Sequence, residues 1–138
     1  MANQQSFILI KGILFKVPVF GQYLRKSGHI PAIKGQGQAA IDEALGRLAD
    51  GGTIIIFPEG TRIPHGEQPA LRPGFAGLYK MLGLPVIPVA QDSGQVWPKG
   101  FVKKPGTIRV HIGEVIPPGL PRPEIEARVH EAINKLNP

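Results

Sequence analysis

Apolar positions fall along this chain in two alternating rhythms. Short unbroken apolar runs, Phe7 to Ile10, Ile30 to Ile33 and Thr53-Ile54-Ile55-Ile56, read as strands. Between them the spacing lengthens: Ile41, Ala44, Leu45 and Leu48 stand at i, i+3, i+4 and i+7, which predicts an amphipathic helix stopped by Gly51-Gly52. Ile13 to Phe15 reads as a helical turn cut by Pro18, and Phe20 to Lys26 as a second helix. After a proline- and glycine-bearing loop from Ile63 to Pro73, Gly74 to Leu82 is predicted helical and Val86 to Ala90 a buried strand. Thr107 to Ile112 alternates residue by residue, as a half-exposed strand does, with His111 on the solvated face beside Arg109. A last helix opens with Pro123 and Glu124 and buries Ile125, Val129, Ile133 and Leu136. Strands and helices taking turns predict an α/β fold, in one domain over residues 1–138 with no repeat or linker.

Composition narrows the class. A chain of 138 residues suffices for one core, and a hydrophobic share of 42% argues against disorder. Counts of 18 Gly and 15 Pro, without a collagen period, suggest short elements and many loops. The chain has no cysteine, which excludes a disulfide framework and fits a cytoplasmic setting. No apolar run reaches the roughly 18 residues of a membrane span, and Met1-Ala2-Asn3-Gln4-Gln5 lacks the form of a signal peptide. His29 and His130 have no partner at ligand spacing and read as structural, so no metal is expected.

Charge is uneven within a net +6. Lys11, Lys16, Arg25, Lys26 and Lys34 all precede the first acid, Asp42, among apolar residues. An anionic bilayer surface attracts such a segment, so the expected location is peripheral, on the inner face of the membrane. Nucleic acid would feel the same charge, but only Phe15, Phe20 and Tyr23 offer rings for stacking here, and none is expected as a partner.

The densest chemistry follows the third apolar run, in Phe57-Pro58-Glu59-Gly60-Thr61-Arg62. Ligands of α/β sheets gather where strands end. Arg62 brings a planar fork suited to a phosphate, and Gly60 lets backbone amides come close to the same anion. Glu59 can orient Arg62 or accept hydrogen bonds from substrate hydroxyls. The plainer alternative is a strand-to-loop turn with a surface Glu59–Arg62 bridge.

This hexapeptide resembles the signature block of the glycerolipid acyltransferases, the 1-acylglycerol-3-phosphate (lysophosphatidate) acyltransferase type. Lys11 with Leu14, Pro18 and Gly21, then Gly28-His29-Ile30-Pro31-Ala32-Ile33-Lys34, then Val86-Ile87-Pro88-Val89-Ala90, are similar to three further family segments, in order. The resemblance implies a mixed sheet flanked by helices and acyl transfer to a lysophospholipid acceptor. The acyl donor would be acyl-CoA or acyl-carrier protein as co-substrate, with no other cofactor. By the same resemblance Lys11, Lys34 and Arg62 would meet the acceptor phosphate, with Glu59, Gly60 and Thr61 completing that site and Pro58 and Pro88 shaping the pocket. Two departures stand out: Lys34 replaces the family's arginine, losing its bidentate fork, and Ile33 replaces the aspartate beside it.

The family's catalytic pair, a histidine with an aspartate five positions on, is absent. The residues five after His29, His65, His111 and His130 are Lys34, Ala70, Ile116 and Lys135. Gln4 and Leu9 would stand at the two positions in the faint echo Asn3-Gln4-Gln5-Ser6-Phe7, and neither can do a base's work. The chain is therefore expected to begin just downstream of that block, truncated at its amino end, and to be inactive alone. The competing reading is a non-catalytic anion- or lipid-binding remnant. A remote one is a dinucleotide-binding protein, from Gly35-Gln36-Gly37-Gln38-Ala39-Ala40 with Glu59 as ribose acid.

Overall fold

The computed structural model describes residues 6–11, 30–32, 37–98 and 100–137. The elements expected over 13–15 and 20–26 lie outside the described residues, as do His29, Ile33, Lys34, Gly35 and Gln36. The chain gathers into two compact units, Met1–Phe57 and Pro58–Pro138. The sequence pattern, with no linker, predicts one domain, and the boundary falls at the Phe57-Pro58 bond.

The first unit holds a three-stranded parallel sheet in the order β2-β1-β3, from β1 (Ser6–Lys11), β2 (Ile30–Ala32) and β3 (Thr53–Ile55). Leu9 pairs with Ile30 on one side of β1, and Phe7 with Ile54 on the other. Helix α1 (Gly37–Ala49) connects β2 to β3 and packs against both. Its end is set by Gly51, whose φ of +83° only glycine adopts freely. There the Gly51 and Gly52 amides return to the carbonyls of Leu48 and Arg47 at 3.0 and 3.1 Å. Ala44 is fully buried on the predicted face, whereas Leu45 is 43% exposed.

In the second unit α2 (Pro73–Leu82) and α3 (Arg122–Ile133) pack together. Phe75, Tyr79, Ile116, Ile125 and Val129 form its core, flanked by Leu71, Val86, Leu120 and Ile133. Tyr79 Oη donates to the Pro117 carbonyl at 2.6 Å and accepts the Leu120 amide at 3.0 Å, tying a loop to α2. Proline near each helix start suits positions whose amides have no partner within the helix. Helix α3 stops at Ile133, so Leu136, predicted on its buried face, lies in the following turn and is half-buried.

Strands β4 (Val89–Gln91) and β5 (Val110–Ile112) form an antiparallel pair, so parallel and antiparallel ladders occupy separate sheets among the described residues. Two expectations are corrected here. The buried strand over Val86 to Ala90 is instead a lone bridge from Val86 to Ile116 followed by β4. Pro88 has no amide for a rung, and only one face is packed: Pro88 and Ala90 are buried, while Ile87 and Val89 are 57% and 45% exposed. The strand expected over Thr107 to Ile112 begins only at Val110. Its partner turns away into a 3₁₀ turn at Ser93–Gln95: the Asp92 amide still donates to the Arg109 carbonyl at 3.3 Å, but the Arg109 amide donates to the Asp92 carboxylate, at 2.7 Å.

Candidate functional site

Pro58, Glu59, Gly60, Thr61 and Arg62 open the second unit as an irregular turn. Its position is fixed from downstream, because the Arg72 amide donates to the Pro58 carbonyl at 2.9 Å. Arg72 stands immediately before α2 in extended backbone, where Pro73 starts the helix. The turn is thereby tied to the amino end of that helix.

Gly60 is required twice over. Its φ is +73°, and a Cβ there would lie 2.9 Å from Arg72 Cγ and 3.4 Å from Arg72 Nε. The Arg72 side chain thus runs across the glycine that the sequence marked for close anion approach. Sequence reasoning missed this second arginine. The signal was present in Leu71-Arg72-Pro73, since a proline that starts a helix puts the preceding residue at the cap.

Glu59 is half-buried, and burial raises its carboxyl above the ordinary value, an effect partly offset by the charge of His130. His130 Nε2 lies 3.2 Å from the Gln68 carbonyl and 3.1 Å from the Pro69 carbonyl. Carbonyls only accept, so this nitrogen is the donor. His130 therefore holds the loop beyond the turn, in keeping with a structural histidine. Among the described residues no ion pair joins Glu59 to Arg62, which removes both the surface bridge and the orienting role expected of Glu59. Thr61 and Arg62 are exposed. Neither Arg62 nor Arg72 has a carboxylate partner among the described residues. The turn thus offers two guanidinium groups without a carboxylate partner among the described residues, an arrangement that favours an incoming anion.

The other candidate residues stand elsewhere. Lys11 closes β1 opposite Ala32, and Lys34 lies outside the described residues. Of the three cations assigned to the phosphate, Arg62 alone has a described side chain. Pro88 is buried, with its carbonyl accepting the Gly113 amide at 2.8 Å. A Cβ on Gly113 would meet the Pro88 ring at 2.9 Å, so this proline shapes the joint between β4 and β5. No group of three or more potential metal ligands occurs among the described residues, nor does any helix long and apolar enough to cross a membrane.

A family model described as Acyltransferase matches residues 1–92. The 1-acyl-sn-glycerol-3-phosphate acyltransferase of Pseudomonas aeruginosa is 37% identical over 134 residues, covering 94% of this chain and 49% of that protein. The chloroplastic enzyme BAT2 of the same description from Brassica napus is 26% identical over 122 residues, covering 84% and 35%. The crystal structure of the 1-acyl-sn-glycerophosphate (LPA) acyltransferase PlsC from Thermotoga maritima superposes with a TM-score of 0.74 at 28% identity. That match covers 97% of this chain and 55% of the other. The chain spans about half the length, or less, of the curated relatives it matches.

Proposed function

This chain belongs to the acyltransferase family, and on that footing we propose that its protein acylates a 1-acylglycerol-3-phosphate in phospholipid synthesis. The acceptor hydroxyl attacks the thioester carbonyl of acyl-CoA or acyl-carrier protein, an ester forms, and the thiol leaves. The residues described here serve the acceptor's phosphate. Arg62 and Arg72, without carboxylate partners among the described residues, are the observation that carries this reading. Lys11 and Lys34 add charge on the strength of the family resemblance, and the work takes place at an anionic membrane face.

The hydroxyl proton needs a base, and no histidine of this chain has an aspartate five residues on. A positioned base contributes about 10²- to 10⁴-fold, so the 138 residues alone are expected to release no thiol from acyl-CoA above background. Binding is the sharper test. Calorimetric titration with lysophosphatidate should find Arg62→Ala weaker by roughly 1.5–3 kcal/mol, as for hydrogen bonds to a charged group. Arg62→Lys should recover only part of that loss. Unchanged affinity in a folded Arg62→Ala protein would move the phosphate site elsewhere.

A further inference from the structure

Residues 96–104 form a closed loop in the second unit, remote in sequence from the turn at residues 58–62. The Lys104 amide donates to the Val96 carbonyl at 2.9 Å and shuts its base, while the Trp97 amide donates to Ser93 at 2.7 Å. Gly100, with φ of +144°, turns the chain at the far end. Lys103 lies within the loop: its Nζ donates to the carbonyls of Pro98 and Gly100 at 2.9 and 2.6 Å and stands 5.3 Å from the Trp97 ring centroid. Three large apolar side chains are turned outward, and Lys104 is exposed beside them. Phe101 is 104% exposed, Val102 73% and Trp97 58%.

Three large apolar side chains on one loop are costly in water and need a reason. A protein pocket would select a shape. This loop instead combines aromatic and aliphatic tips with an acid-free stretch, since no Asp or Glu occurs between Asp92 and Glu114, while Lys99, Lys103 and Lys104 do. Tryptophan favours the boundary between lipid and water, and lysine favours anionic headgroups. Lys103 also satisfies two carbonyls that an apolar layer would leave without water.

We propose that this loop is a membrane contact: Trp97, Phe101 and Val102 enter the interface of an anionic bilayer, and Lys104 meets its phosphates. The loop is distinct in sequence from the basic amino-terminal third and from the turn at residues 58–62, so either reading can fail without the other.

Trp97 is the only tryptophan of the chain, so its fluorescence reports on this loop alone. The full chain is titrated with phosphatidylglycerol vesicles and, in parallel, with phosphatidylcholine vesicles. Trp97 emission should move to shorter wavelength with the anionic vesicles, and bromine-labelled acyl chains should quench it. Phe101→Asp should weaken vesicle binding about tenfold or more, as expected for lost burial of a large side chain. Lys104→Glu should weaken it by at least about fivefold, the effect of one cation near such a surface. Cosedimentation with vesicles while Trp97 emission stays fixed would show that another surface binds, and would overturn the proposal. So would a response of Trp97 to single-stranded oligonucleotide with none to vesicles.

Discussion

The turn at residues 58–62 and the segment running from Asp92 to Arg109 are both irregular connections gathered by a basic side chain, and they use that charge in opposite ways. In the second segment two cations are spent internally: Arg109 Nε donates to the buried Asp92 carboxylate at 2.6 Å, and Lys103 donates to two carbonyls. At the turn, Arg72 lies across Gly60, and neither it nor Arg62 has a carboxylate partner among the described residues. The nearby acid, Glu59, is one whose burial disfavours its charge. Basic residues in the two places therefore mean different things. A cation already neutralised holds the fold together, and one left without a counter-charge can receive a phosphate.

The strongest way to break this contrast is Asp92→Ala. The Arg109 amide and guanidinium hold the Asp92 carboxyl below the ordinary range. A lowered folded value means the stabilisation is complete above the ordinary carboxylate range and disappears as pH falls through the folded value. Urea titration near neutral pH should show a larger loss than for Gly60→Ala, Gly100→Ala or Glu59→Gln. The gap between variant and wild type should close in acid. A gap independent of pH would mean that the carboxylate's charge is not what joins the two strands.

Gly60→Ala sharpens the other side. Left-handed backbone and the collision with Arg72 Cγ should together cost about 1–3 kcal/mol, read as a lower urea midpoint. Gly100→Ala is the control. It carries strained backbone too, but a Cβ there would meet nothing within 4 Å, so a local adjustment of the exposed loop should absorb most of the change.

Much of this was legible in the sequence, and the exceptions have one cause. Helix α1 could be read because Ala44 and its neighbours repeat at helical spacing and Gly51 follows at the left-handed stop. The hexapeptide could be read because its residues are consecutive. Pro73 marked Arg72 as a helix cap, but not its place at the turn, where a hydrogen bond to Pro58 brings it across an intervening loop. Nor could the Asp92–Arg109 pair be read, which joins the two stretches of chain just past the end of β4. Val86 to Ala90 misled for a related reason. An apolar run announces a strand but not how many of its faces another layer will cover, and here Ile87 and Val89 stay exposed.

The smallest effect should come from Glu59→Gln, with a sign opposite to that of Asp92. A raised folded value means the ionised carboxylate costs stability, increasingly as pH climbs from the ordinary value to the folded one and constantly above it. The glutamine variant should therefore match wild type in acid and be slightly more stable near neutral pH, by less than about 1 kcal/mol. A loss of stability at neutral pH would mean that Glu59 makes an ionic contact that the turn needs.

The phenol of Tyr79 makes one backbone amide a clock. The Leu120 N–H is held by a side-chain oxygen on α2 instead of by a neighbouring strand, and the Tyr79 ring is stacked with Phe75 at 6.4 Å. For that proton to exchange with solvent deuterium, the ring must leave its place between helix and loop. Its exchange rate therefore measures how often α2 lifts from the core, separating that local opening from the unfolding of the unit as a whole.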